Sequence, residues 1–271
     1  MKKLLIGSIT FFLFISLTVL IGNNFFKKYK ITKIVNEKVI NVDEEKKKES
    51  NNNKILKFLQ SKNINTDDLS NGVLESMYWV ERIKDGGLIL LFRHSEREKW
   101  KNTVEGFDTI ELYNNYNARD LSWSKATCLT EKGIEESKLI KEAFDHASIE
   151  ISEIVSSPSC RARETAIYGF GKIDKTFSGL LHYSAFHPQD RKKIGSELKQ
   201  AVMQLKLKDN KNIILSAHNK VISHHNFIDE MNVDEGLEES GFYIIEKKDD
   251  KLIVPYKFRV IKDFIILLYR H

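Results

Sequence analysis

Apolar positions divide the chain into three stretches of different texture. The first covers residues 4–21, uncharged and mostly apolar, behind the short basic start Met1-Lys2-Lys3. Its eighteen residues stand at the lower edge of what crosses a bilayer. Gly22-Asn23-Asn24-Phe25-Phe26 comes next, with no small-x-small cleavage site. Residues 1–23 therefore read as an uncleaved signal anchor, a transmembrane helix, in preference to a removed signal peptide. Lys2 and Lys3 favour a cytoplasmic N-terminus while Lys27, Lys28 and Lys30 pull the other way. A short basic start before a long polar portion points to export of the C-terminal part, to the periplasm or the cell surface.

The second stretch, residues 24–70, is polar. It carries Glu44-Glu45-Lys46-Lys47-Lys48-Glu49 and then Asn51-Asn52-Asn53, the composition of a solvated stalk. Within it Ile55, Leu56, Phe58 and Leu59 predict a short helix. The third stretch, residues 71–271, alternates two hydrophobic periods. Val73, Met77, Val80 and Ile83 keep helical spacing, closed by Asp85-Gly86-Gly87. Residues 88–92 and 212–215 are short apolar runs, the pattern of strands buried on both faces, and residues 151–155 are a further candidate strand. Thr130 can cap a helix whose Ile140, Ala143, Phe144 and Ala147 share one face. Residues 160–170 predict a helix halted by Gly169 and Gly171. Ile194, Leu198, Ala201, Val202 and Leu205 mark another, and a further helical stretch starts near Lys220. Residues 242–245 and 252–254 flank Lys248-Asp249-Asp250 as an antiparallel hairpin. Strands alternating with helices predict an α/β fold, a three-layer sandwich with a mostly parallel central sheet.

Composition changes this picture little. The net charge of +5 comes largely from lysines near the N-terminus, and no basic face with interleaved aromatics stands out, so nucleic acid is not an expected partner. Two cysteines, Cys128 and Cys160, are too few for a disulfide scaffold. They form either one bridge, in an oxidising compartment, or two separate thiols.

The candidate chemistry comes directly after three of the strand runs. Leu88-Ile89-Leu90-Leu91-Phe92 leads into Arg93-His94-Ser95-Glu96-Arg97. Glu153-Ile154-Val155 leads into Ser156-Ser157-Pro158-Ser159-Cys160-Arg161-Ala162-Arg163. Ile213-Ile214-Leu215 leads into Ser216-Ala217-His218-Asn219. In an open α/β sheet, ligands sit at the carboxyl ends of the strands, where following helices present amide-rich N-termini. Two imidazoles and several guanidinium groups gathered there would repel one another without a dianion among them. Guanidinium matches phosphate oxygens with paired, charge-assisted hydrogen bonds. A neutral imidazole beside them can attack phosphorus and form a phosphohistidine that water later clears.

Arg93-His94-Ser95, the run from Ser156 to Ala166, and Ser216-Ala217-His218 resemble the motifs of the histidine phosphatase superfamily. Leu129-Thr130-Glu131-Lys132-Gly133 resembles the helix start lying between the first two motifs in that family. Each string alone is weak; four in order, each after the expected element, are specific. The resemblance implies a phosphoglycerate-mutase-like or acid-phosphatase-like domain with no metal or organic cofactor. It implies His94 as the nucleophile, Arg93 and Arg161 as phosphate ligands, and His218 as the second histidine. Arg97 matches the additional Arg of the acid-phosphatase branch.

The sequence departs from the family in three places. Ser95 stands where Gly is usual. Asn219 comes after the second histidine where one branch has an Asp proton donor, and an amide is no acid. No carboxylate lies between Lys175 and Phe186, where the other branch has a Glu. His182, Glu96 and Asp190 are the candidates for the missing acid. Elsewhere plainer readings prevail. Arg163 is a structural helix residue. His224-His225 lack metal-ligand spacing and belong to a helix. His182 and His187 sit in a loop. Residues 99–125, with Trp100, Tyr113 and Trp123, are an insertion that forms a lid or substrate wall. The expected activity is hydrolysis of a small-molecule or envelope phosphomonoester by a membrane-anchored, extracytoplasmic enzyme. A phosphotransferase or mutase, and a non-catalytic phospho-ligand-binding membrane protein, are the alternatives.

Overall fold

A computed structural model describes residues 49–98 and 127–269, and the chain divides into two compact units, Met1–Thr66 and Asp67–His271. The expected membrane helix, most of the stalk and the insertion with Trp100, Tyr113 and Trp123 lie outside the described residues. Among the described residues, no helix is long and apolar enough to cross a membrane. In the first unit, helix α1 spans 49–61, as its apolar spacing predicts. The amide of Ile64 closes it by donating to Leu59 O.

The second unit begins with α2 (Asn71–Asp85) and β1 (Ile89–Arg93). After the insertion come α3 (Glu131–His146), β2 (Ile151–Ser156), α4 (Cys160–Phe170) and β3 (Lys175–Thr176). Three short 3-10 turns lead to α5 (Arg191–Gln204), β4 (Asn212–Ala217), α6 (Val221–His225) and β5 (Glu230–Met231). The last elements are β6 (Phe242–Lys248), β7 (Lys251–Phe258) and α7 (Ile261–Leu268).

The strands form one sheet in the order β3-β2-β4-β1-β6-β7-β5. Pairing is parallel from β3 through β1 and again between β7 and β5; β6 runs antiparallel to both its neighbours. β1 and β4 lie in the middle, which explains their unbroken apolar runs: both faces are covered. Leu90 and Phe92 point into a core with Trp79, Val80 and Ile83 of α2, Ile140 and Phe144 of α3, and Phe264 of α7. Ile89 and Leu91 point the other way, onto Leu198 and Val202 of α5 and Val221 and Ile222 of α6. The result is the expected three-layer arrangement.

Helix ends obey local chemistry. Thr130 Oγ1 caps α3 by accepting from the Gly133 amide at 3.0 Å. Gly133 lets that first turn lie against the strand-end loop, since a Cβ there would sit 1.9 Å from Glu96 O. Gly171, at φ +83°, ends α4. Gly169 does not: it lies inside α4, buried against Ile140, where a small residue permits close α3–α4 packing. The helix expected from Lys220 is one short turn and a half, stopped by Asn226 in the left-handed region. The terminal α7 lacks a polar-apolar signal long enough to mark it in the sequence, yet buries Ile261, Phe264 and Leu268.

Candidate active site

Parallel register assembles the site. Arg93 pairs with Ala217, and Ser156 with Ser216. The next residues on the three adjacent strands, His94, His218 and Ser157, therefore leave the sheet side by side. Backbone bonds hold them there: the His94 amide donates to Ala217 O at 3.0 Å and the Ser157 amide to Ser216 O at 2.8 Å.

His94 is 4% exposed and His218 1%. Their ring centroids lie 5.4 Å apart, edge to face. His94 Nδ1 is 2.8 Å from Ser95 O. A carbonyl only accepts, so Nδ1 carries the proton and Nε2 keeps its lone pair, the tautomer a nucleophile needs. His218 Nε2 lies 3.0 Å from Ser157 Oγ and 3.1 Å from Ser159 Oγ, and its buried Nδ1 has no hydrogen-bond partner among the described residues. Ser159 thus orients His218 instead of capping α4, although it occupies the cap position.

Arg161, second residue of α4, is 7% exposed. Burial first and the Arg161 guanidinium second hold both imidazoles well below the ordinary histidine value of about 6.5. Arg97 acts on both rings in the same sense, less strongly, and Arg93 acts on His94. Both imidazoles are therefore neutral at pH 7. Arg93 donates from Nη1 to Leu237 O at 2.7 Å and pairs through Nη2 with Glu239 at 3.4 Å; its buried Nε has no partner among the described residues.

Several side chains lock these groups together. The Ser95 amide donates to Thr165 Oγ1 at 3.0 Å, and Thr165 Oγ1 donates to Arg161 O at 2.8 Å, which joins the His94 loop to the helix bearing Arg161. Ser216 Oγ donates to Ala162 O at 2.7 Å. Ser95 turns its hydroxyl toward Ser137 Oγ at 2.8 Å and Ser240 Oγ at 3.0 Å, in a buried hydroxyl cluster. Cys128 and Cys160 form a disulfide, so of the two readings the bridge holds. It ties the strand-like pair Arg97–Leu129 to the start of α4. These sulfurs and Glu164 form the one cluster of metal-ligand type among the described residues. The sulfurs are bonded to each other, and the Glu164 carboxylate accepts from the Leu129 amide at 2.8 Å.

The three acid candidates fare differently. Glu96 is held by Thr130 Oγ1 at 3.1 Å and by the ammonium of Lys132. Asp190 is exposed, the last residue of the 3-10 turn that leads into α5. His182 does reach the site: its ring centroid is 5.9 Å from that of His218, and it packs on Tyr183, over which Arg191 lies. Asn219 Oδ1 accepts from the amides of Lys220 and Leu237 and braces the loop. Ser157, Ser159 and Thr165 lie inside the second motif, but reading the sequence assigns them no role; their spacing around the helix start is the signal that could have. Glu239 carries no such signal, because antiparallel pairing of β6 brings it in.

No family model matches the sequence, and no curated protein matches it. Solved structures similar to it include the protein histidine phosphatase SixA complexed with tungstate, at 11% identity and TM-score 0.43 over 63% of this chain and 96% of that one. A phosphoserine phosphatase from Entamoeba histolytica is 12% identical, with TM-score 0.39 over 63% of this chain and 95% of that one. A phosphoglycerate mutase from Thermus thermophilus is 15% identical, with TM-score 0.37 over 62% and 96%. At such values the likeness carries no argument, and the functional reading rests on the side chains. The solved structures that this α/β chain is similar to are members of the histidine phosphatase superfamily.

Proposed function

We propose that the protein is a phosphohydrolase that cleaves a phosphomonoester through a phosphohistidine at His94. The observation that carries this reading is the pair of buried imidazoles, 5.4 Å apart, with Arg161 as the strongest charge acting on both. His94 Nε2 attacks phosphorus and the bond to the leaving oxygen breaks. Arg161, Arg93 and Arg97, together with His218, neutralise charge spread over the equatorial oxygens. Water then attacks the phosphohistidine, releasing inorganic phosphate and neutral His94. Incubation with para-nitrophenyl phosphate in the presence of a chelator is expected to give steady hydrolysis. Acid-labile, alkali-stable label on the protein is expected in rapid-quench samples. Turnover without any such label would count against the mechanism.

We further propose that the unit acts outside the cytoplasm, anchored by residues 1–23. The Cys128–Cys160 disulfide supports this, because such bonds persist mainly in oxidising compartments. Alkylation of freshly lysed cells is expected to leave both cysteines unmodified until a reductant is added. Thiols labelled in the absence of reductant would argue for a reducing location.

A further inference from the structure

Hydrolysis of an unactivated ester needs a proton for the departing oxygen, and the sequence motifs contain no convincing donor. The strand order supplies one. β1 has β4 on one flank and β6 on the other. His218 and Arg161 approach the strand end from the β4 side. From the β6 side comes the turn through residues 237–241. It is clamped to the nucleophile's own backbone: the Ser240 amide donates to His94 O at 3.1 Å, and the Arg93 amide donates to Gly241 O at 2.9 Å. Glu239 projects from this turn, about one quarter exposed at its side chain, with Oε1 3.4 Å from Arg93 Nη2.

We infer that Glu239 donates the proton to the leaving oxygen and takes one back from water when the phosphohistidine is cleared; this rests on the phosphohydrolase reading above. In the first step the His94 Nε2–P bond forms, the P–O bond to the alcohol breaks, and the Glu239 O–H proton passes to the alkoxide. In the second, water loses a proton to the Glu239 carboxylate as its oxygen bonds to phosphorus. The P–N bond breaks, and inorganic phosphate leaves. The charges facing Glu239 fit both states. Arg93 and Arg97 favour its carboxylate, while Glu96 and Glu136 oppose it. Burial tips the balance, raising its proton affinity above the ordinary glutamate value. An arriving dianion would compete for Arg93 and push it further toward the acid form. Of the rival carboxylates, Glu96 is bound by Thr130 and Lys132, and Asp190 lies exposed before α5.

The test is kcat/KM of wild type and Glu239→Gln on two substrates, one leaving as para-nitrophenolate and one as a simple alkoxide such as glycerol. The phenolate needs no proton to depart. The variant is expected to lose roughly 100-fold on the alkyl ester and less than about threefold on the aryl ester. The alkaline fall of kcat/KM on the alkyl ester should vanish with it. Equal losses on both substrates overturn the assignment, since a residue acting only by positioning Arg93 would weaken phosphate binding in each. A wild type that hydrolyses neither and forms no phosphohistidine sinks the phosphohydrolase reading itself, a different result from a working enzyme indifferent to leaving group.

Discussion

Replacing His94 by alanine is expected to lower phosphatase turnover by about ten-thousandfold or more and to abolish the acid-labile phosphoenzyme. The size reflects what is lost. Arginines would still bind phosphate, but no side chain would remain to make the covalent bond. His218 cannot take over, because Ser157 and Ser159 hold its Nε2. The His94 ring is buried beside Ser137-linked Ser95, so the variant also leaves a small cavity; thermal unfolding of the variant should be compared with wild type to separate folding from chemistry. Activity equal to wild type would remove the nucleophile assignment. The pH profile is a second readout. Burial and Arg161 push the His94 proton affinity down, so the ring stays unprotonated as pH falls through about 6.5. In wild type kcat/KM should hold level there and decline only at lower pH, as the ring is finally protonated and loses its lone pair.

Arg161→Met is the second large effect, with an expected loss of about 100- to 1000-fold in kcat. Its guanidinium acts on both imidazoles from the second position of α4, and its backbone carbonyl is joined through Thr165 to the Ser95 amide. Removing the cation takes away a cause that depresses both rings. The acid limb of kcat/KM should therefore move to higher pH, not lower. Arg161→Lys keeps the charge but loses the planar fork, so it should retain the wild-type position of that limb while recovering only part of the rate. A variant slowed without any movement of the limb would mean that Arg161 acts at a distance from the histidines. The shift is read from pH–rate profiles on one substrate with all three proteins.

Much of this site is legible along the chain because its parts are local. Arg93-His94, Ser156 to Arg161 and Ser216-Ala217-His218 each come after a short apolar run, and a run buried on both faces marks a central parallel strand. Once the strands are parallel, their carboxyl ends share one edge, and the next residue of each is at that edge. Glu239 cannot be found this way. It lies in a polar turn with no motif, and it matters only because β6 pairs antiparallel with β1 and returns its N-terminal end to the place where β1 finishes. Asn219 is the reverse case. Its position implies a proton donor, yet its side chain accepts from two backbone amides and supports a loop.

The order of apolar and polar residues determined the layers, the central strands and the convergence of histidine and arginine, because hydrophobic period and strand direction are properties of contiguous segments. Tertiary packing decided the tautomer of His94, the orientation of His218 by two serine hydroxyls, the Cys128–Cys160 bond and the approach of Glu239 to Arg93. Each of these depends on atoms coming within bonding reach, by a hydrogen bond, an ion pair or a disulfide, in a geometry that the folded backbone and not the spacing along the chain sets.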